Sequence, residues 1–105
     1  MQQVVNDTER FRRVAEILRS IAHPMRFSIL SLLNDKGRPM TVTEIYKSLD
    51  IEQSVASHHL SILRNAGVVQ RMHSGKFVYY SASGEFLSHL MECVNRSQEI
   101  WSSQS

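Results

Sequence analysis

The chain has 105 residues, 42% hydrophobic and 21% charged, which suits one domain spanning 1–105 and excludes disorder along the whole length. No stretch approaches the ~18 consecutive apolar residues of a transmembrane helix, and Met1 to Arg13 carry no apolar core of a secretory signal, so a cytoplasmic protein with no membrane partner is expected. The lone cysteine, Cys93, excludes an internal disulfide framework, and a net charge of +2 says little until its distribution is read.

Residues 1–7 read as a frayed polar end. From Thr8 an apolar stripe begins, with Phe11, Val14, Ala15, Leu18, Ile21 and Ala22 at spacings of three and four. Arg10, Arg12, Arg13, Glu16 and Arg19 fill the opposite face. His23-Pro24 breaks this helix, and proline suits the first turn of the next. Met25, Ile29, Leu32 and Leu33 give a second amphipathic helix, which residues 34–39 end with both Gly and Pro. Thr41-Val42-Thr43-Glu44 is a capping-box sequence. It opens a short third helix to about Ser48, with Ile45 and Leu49 inward.

Leu49-Asp50-Ile51 forms a tight connection to a fourth helix, from about Glu52 to Asn65. Its inward residues are Ala56, Leu60 and Leu63, and Ala66-Gly67 stops it. The period then changes from 3.6 to two. Val68 to His73 and Lys76 to Ser81 are β-rich runs, with Ser74-Gly75 as the turn between them. From Gly84, the residues Phe86, Leu87, Leu90, Met91, Val94 and Trp101 mark a last helix, and 102–105 read as a loose end. The sum is a mainly α chain with a small β-hairpin. This order of five helices and a two-stranded wing is that of a winged helix-turn-helix.

In that layout the fourth helix enters the DNA major groove, its N-terminal residues against base edges. Between Gln53 and Gly84 there is no carboxylate side chain, which suits a surface that meets phosphates. With Ala56, Leu60 and Leu63 inward, Gln53, Ser54, Ser57, His58 and Ser61 point outward. All can hydrogen-bond to bases or phosphates, and none is acidic. A mere solvated helix more often carries Lys and Glu. His59 falls at the core boundary and reads as a packing histidine rather than a DNA contact. Arg64 either reaches a phosphate or answers the helix dipole. On the wing, Arg71, His73, Ser74, Gly75 and Lys76 are the expected backbone contacts, the bland alternative being a solvated hairpin tip.

These residues resemble a known family. Ile21-Ala22-His23-Pro24-Met25-Arg26-Phe27-Ser28-Ile29-Leu30 is similar to the opening motif of the ArsR/SmtB repressors. Residues 53–69 are similar to their recognition-helix signature, and Gly75-Lys76-Phe77-Val78-Tyr79-Tyr80-Ser81 to their wing. The resemblance covers about residues 10–95. It implies a homodimer, paired through the first and last helices, that represses transcription from an imperfect inverted repeat of double-stranded DNA. A chain this short gains from such pairing. The two recognition helices would then read a pseudo-palindromic operator.

The family's metal sites do not carry over. Where one site has a cysteine pair on the third helix, this chain has Tyr46 and Ser48, poor ligands for soft metals. Where another has Asp and His ligands on the last helix, it has Gly84, Phe86, Ser97 and Ile100. No metal site or cofactor is therefore expected. His89 and Cys93, four apart with Glu85 and Glu92 nearby, leave a makeshift metal pair open. The bland alternative is a small apolar Cys93 at the dimer interface and a surface His89, and a redox role would need the second subunit's thiol. The lead function is a sequence-specific DNA-binding regulator. The alternative is a winged-helix module for protein contacts, to which the modest charge of +2 points. An enzyme is not expected, since no Gly-rich phosphate loop or positioned base accompanies Cys93.

Overall fold

The structure is a computed structural model that describes the backbone of residues 2–104 and the side chains of residues 7–102. Five helices and three short strands follow in the order α1 Gln2–Ile21, α2 Pro24–Lys36, β1 Met40–Thr41, α3 Val42–Leu49, α4 Gln53–Asn65, β2 Gln70–Ser74, β3 Phe77–Ser81 and α5 Gly84–Gln104. The expected winged helix-turn-helix is present. Both terminal helices are longer than their apolar stripes predict. α1 starts at Gln2 rather than Thr8, and α5 runs through Gln104 rather than ending near Trp101. Backbone bonding carries a helix through polar residues that leave no periodic trace. Met1 and Ser105, part of the two expected loose ends, lie outside the described residues.

Local chemistry sets the helix ends. His23 precedes Pro24 in extended conformation, and its Nδ1 accepts the Met25 N–H at 3.0 Å, relieving one orphan donor of α2. Thr41 and Glu44 form the reciprocal capping box: Thr41 Oγ1 accepts the Glu44 N–H at 3.1 Å, and Glu44 Oε1 accepts the Thr41 N–H at 3.2 Å. Asp50, with φ 54°, turns the chain sharply from α3 into α4, a left-handed conformation that Asp tolerates better than most residues. α4 ends in a Schellman motif: Gly67 N–H bonds the Arg64 carbonyl and Val68 N–H bonds the Leu63 carbonyl, each at 2.9 Å. Gly67 takes φ 78°, and a Cβ there would stand 2.7 Å from the Arg13 guanidinium.

The core lies where α2, α3, α4 and the sheet meet α5. Ile29, Leu30, Met40, Ile45, Leu60, Leu63 and Val69 are its fully buried large side chains, and Leu87 joins from α5. Val68 and Val69 are buried but precede the first strand. The expected strand over 68–73 therefore begins at Gln70, because the Schellman bonds still hold the backbone at Val68 and Val69.

The sheet also differs from the two-stranded expectation. β3 is central, with β1 on one side and β2 on the other, all antiparallel. Met40 faces Tyr80 and Thr41 faces Tyr79, so the wing is tied to the start of α3. The hairpin loop is Gly75-Lys76, since Ser74 pairs with Phe77. Gly75 takes φ 62°, the positive value that a two-residue hairpin loop favours at its first position.

α1 and α5 project from this body. The radius of gyration is 15.7 Å, with extents of 49 × 42 × 23 Å, against about 13 Å for a compact chain of this length. On α1 the apolar stripe is largely uncovered: Phe11 is 61%, Val14 46% and Leu18 56% exposed. Fully covering such side chains is worth about 1.5–3 kcal/mol each. Among the described residues, no helix is long and apolar enough to cross a membrane.

Candidate nucleic-acid interface

α4 stands on the core through Ala56, Leu60 and Leu63, each fully buried. That fixes its rotation. Gln53, Ser54, Ser57, His58, Ser61 and Arg64 are all exposed, as the phase argument requires. Gln53, Ser57, Ser61 and Arg64 follow one another at spacings of four, four and three and share one helix face. His59 is 8% exposed and points the other way, as a packing histidine should. Its Nδ1 lies 3.3 Å from Arg26 Nη1. Burial first, then His23, Arg26 and His58, push its pKa below the ordinary histidine value.

The N-terminus of α4 is open. Glu52 is its N-cap residue but makes no side-chain capping bond. Of the first-turn N–H groups, that of Val55 bonds the Glu52 carbonyl at 3.1 Å, and the exposed Glu52 carboxylate at this end offsets the attraction of the helix dipole for a phosphate.

The wing is less uniform than the sequence suggests. Directly paired residues share a face of an antiparallel ladder. Arg71 pairs with Tyr80 and His73 with Val78, so these two candidates lie on one face. Ser74 pairs with Phe77 and Met72 with Tyr79, on the opposite face. Ser74 is thus separated from Arg71 and His73, while Gly75 and Lys76 form the tip. Lys76 Nζ sits 5.5 Å from the centroid of the Phe77 ring, which is 51% exposed. Phe77 and the exposed Met72 add apolar surface to the wing that basic and hydroxyl groups alone do not indicate. The unbroken run Phe77, Val78, Tyr79, Tyr80 is the available signal, since a strand turns alternate residues to opposite faces.

Charge separates this surface from α1. Arg10, Arg12 and Arg13 each face a carboxylate, at 3.3 Å from Asp7, 3.3 Å from Glu9 and 3.7 Å from Glu16. Among the described residues, Arg64, Arg71 and Lys76 have no such ion pair. The alternative metal pair is poorly supplied within one chain. Cys93 and His89 are exposed, and no three His, Cys, Asp or Glu among the described residues stand close enough to hold a metal ion.

The family model of bacterial regulatory proteins of the arsR family matches residues 23–71, from the His23-Pro24 break through the start of the wing. The HTH-type transcriptional regulator NmtR of Mycobacterium tuberculosis is 33% identical over 95 residues, 90% of this chain and 78% of that protein. The chain belongs to the ArsR family. As an ArsR-family protein it is a DNA-binding transcriptional regulator and not an enzyme. The transcriptional repressor PagR of Bacillus anthracis is 34% identical over 84 residues, 80% of this chain and 83% of that protein. The crystal structure of PagR matches with a TM-score of 0.74 at 31% identity, over 83% of this chain and 98% of that chain. A homodimeric winged helix-turn-helix DNA-binding domain from Mycobacterium bovis matches with a TM-score of 0.80 over 94% of this chain and 90% of that chain. At 23% identity, that likeness bears on the fold alone.

Proposed function

We propose that this ArsR-family chain works in the cytoplasm as a homodimeric repressor, each copy a single winged helix-turn-helix unit. Two copies pair through α1 and α5 and cover Phe11, Val14 and Leu18. Pairing sets two α4 helices about one DNA turn apart, on the half-sites of an inverted repeat. Gln53, Ser54, Ser57 and His58 contact base edges and the nearest phosphates. Ser61 and Arg64 follow the backbone. Arg71, His73, Ser74, Gly75 and Lys76 of the wing meet the flanking backbone or minor groove. The bound dimer keeps RNA polymerase off the promoter.

The observation that carries this reading is the outward face of α4, which is exposed, rich in hydrogen-bonding groups and free of carboxylates. A signal that lifts repression must bind the DNA-free form better than the DNA-competent form. The helices at the dimer interface are where it would change the spacing of the two recognition helices.

The test places a carboxylate on that face. Ser57→Glu and His58→Glu should each lower operator affinity about 100-fold or more, since each sets a negative charge among phosphates. Circular dichroism should show unchanged helix content. Unchanged operator affinity in both variants would remove α4 from the groove and favour a protein-binding module instead.

A further inference from the structure

Behind the outward face of α4 lies a cluster that DNA contact does not explain. Arg26, in the first turn of α2, donates from Nε to the Ser20 carbonyl at the end of α1. Its Nη1 lies 3.3 Å from His59 Nδ1 on α4. The His23 ring packs 4.6 Å from the His59 ring, centroid to centroid. His58, on the outward face, stands edge-on to His59 at 5.2 Å. One guanidinium thus joins the end of a dimer helix to the residue beside a proposed base contact.

The joint depends on neutral imidazole. Arginine has only donors, so His59 Nδ1 must offer its lone pair and carry its proton on Nε2. His23 Nδ1 is likewise an acceptor, from the Met25 N–H. A proton on His59 Nδ1 would set donor against donor and cation against cation. The groups acting on His59 are His23 at the cap of α2, Arg26 within α2 and His58 from α4 itself, all positive when charged. From α1, Glu16 and Arg19 line the cleft further along α4, beside Ile62, Asn65 and Ala66. The segment 53–84 offers no carboxylate.

We propose that Arg26 and His59 are positioning residues for DNA recognition, which lock the base-facing half of α4 to the α1–α2 corner, and that acid opens the lock. The proposal rests on α4 being the recognition helix. Above the ordinary histidine pKa of about 6.5 the lock is closed. As the pH falls below that value, a free α4 takes up a proton that the locked helix resists, so affinity for DNA falls.

The experiment therefore compares the full chain with His59→Asn, whose side-chain oxygen accepts the Arg26 hydrogen bond but does not titrate. Affinity for the operator is measured from pH 7.5 to pH 5.5 in both, and again in both with His58→Gln, because the His58 ring touches His59 and responds to its replacement. His59→Asn should match the wild type within about threefold at pH 7.5, and the wild type should lose at least about threefold more on acidification. A ratio that stays flat, with specific binding intact, overturns the proposal. Absence of specific binding by the wild type at pH 7.5 overturns the assignment of α4 itself.

A second measurement needs neither DNA nor that variant. Nuclear magnetic resonance follows the His59 ring and the backbone amides of Ser20, Arg26 and residues 53–58 as the pH falls. They should shift together, with a midpoint below 6.5. Arg26→Gln keeps a donor but removes the cation, so the His59 midpoint should rise. A midpoint at or above 6.5 in the wild type, or amides on α4 that ignore the titration, contradicts the lock.

Discussion

From Thr41 to Val69 the chain closes on itself. Ile45, Ala56, Leu60 and Leu63 are fully buried, α3 opens on a reciprocal capping box, and α4 ends in a Schellman motif. α1 does the opposite: its stripe of Phe11, Val14 and Leu18 is regular in sequence and largely exposed in the chain. The same apolar periodicity therefore has two destinations. In the helix-turn-helix it is satisfied within one chain, whereas of the α1 stripe only Ile21 reaches the core and Phe11, Val14 and Leu18 are left exposed. In the proposed homodimer a second copy would supply the missing cover, which suits so short a chain.

The largest effect should come from breaking the self-contained region. Leu63→Ala removes a fully buried side chain, so stability should fall by about 2–5 kcal/mol in denaturant unfolding. The loss should be the same at low and high protein concentration. Leu18→Glu breaks the other region instead. It should leave the helix content unchanged and shift sedimentation from dimer to monomer at micromolar concentration. The concentration dependence of thermal unfolding should vanish with it. A Leu18→Glu protein that remains dimeric would mean that α1 does not form the interface.

Smaller effects sharpen the contrast at the helix ends. Thr41→Ala removes the N-cap oxygen of α3 and should cost about 1 kcal/mol in thermal or denaturant unfolding. Glu44, the other half of the box, accepts from Arg38 at 2.7 Å. That bond first, and the Thr41 N–H second, hold its carboxyl at about 2. Its folded pKa is depressed, so the stability it adds is present above about 4.3 and is lost as the pH falls toward the folded value. Both side chains are substantially exposed, so the effect is small and screened by salt. Glu44→Gln should flatten the melting temperature between pH 5 and pH 2.5 at low ionic strength.

The smallest change should come from Asp50→Gly at the turn between α3 and α4. Glycine relieves the left-handed backbone but frees the unfolded chain, so stability should shift by less than about 1 kcal/mol. Asp50→Val should lower stability visibly in the same melt.

The sequence was legible where a pattern had length. α4 spans more than three turns, and three inward residues sufficed to place Gln53, Ser54, Ser57, His58 and Ser61 outward. His59 was legible as a packing residue for the same reason. β1 was not, because Met40 and Thr41 are too few to show a period and Thr41 already serves as a helix cap. Val68 and Val69 read as strand because two β-branched residues follow a glycine, yet their backbone belongs to the end of α4. The hairpin loop was displaced by one residue, since Ser74-Gly75 and Gly75-Lys76 are both acceptable turns and only cross-strand pairing decides between them. That shift makes Ser74 a strand residue, and strand alternation then sets it on the face opposite Arg71 and His73. The lock between Arg26 and His59 was not visible at all, because its partners lie 33 positions apart and meet only when α2 packs on α4.

The most direct test of the central claim titrates the purified protein against its own upstream intergenic DNA and a scrambled control, at several salt concentrations with chelator present. Specific binding should exceed non-specific binding by about 10³ or more, and both should weaken as salt rises. Equal affinity for the two DNAs, or no affinity for either, would contradict a chelator-insensitive repressor that reads its own promoter through α4.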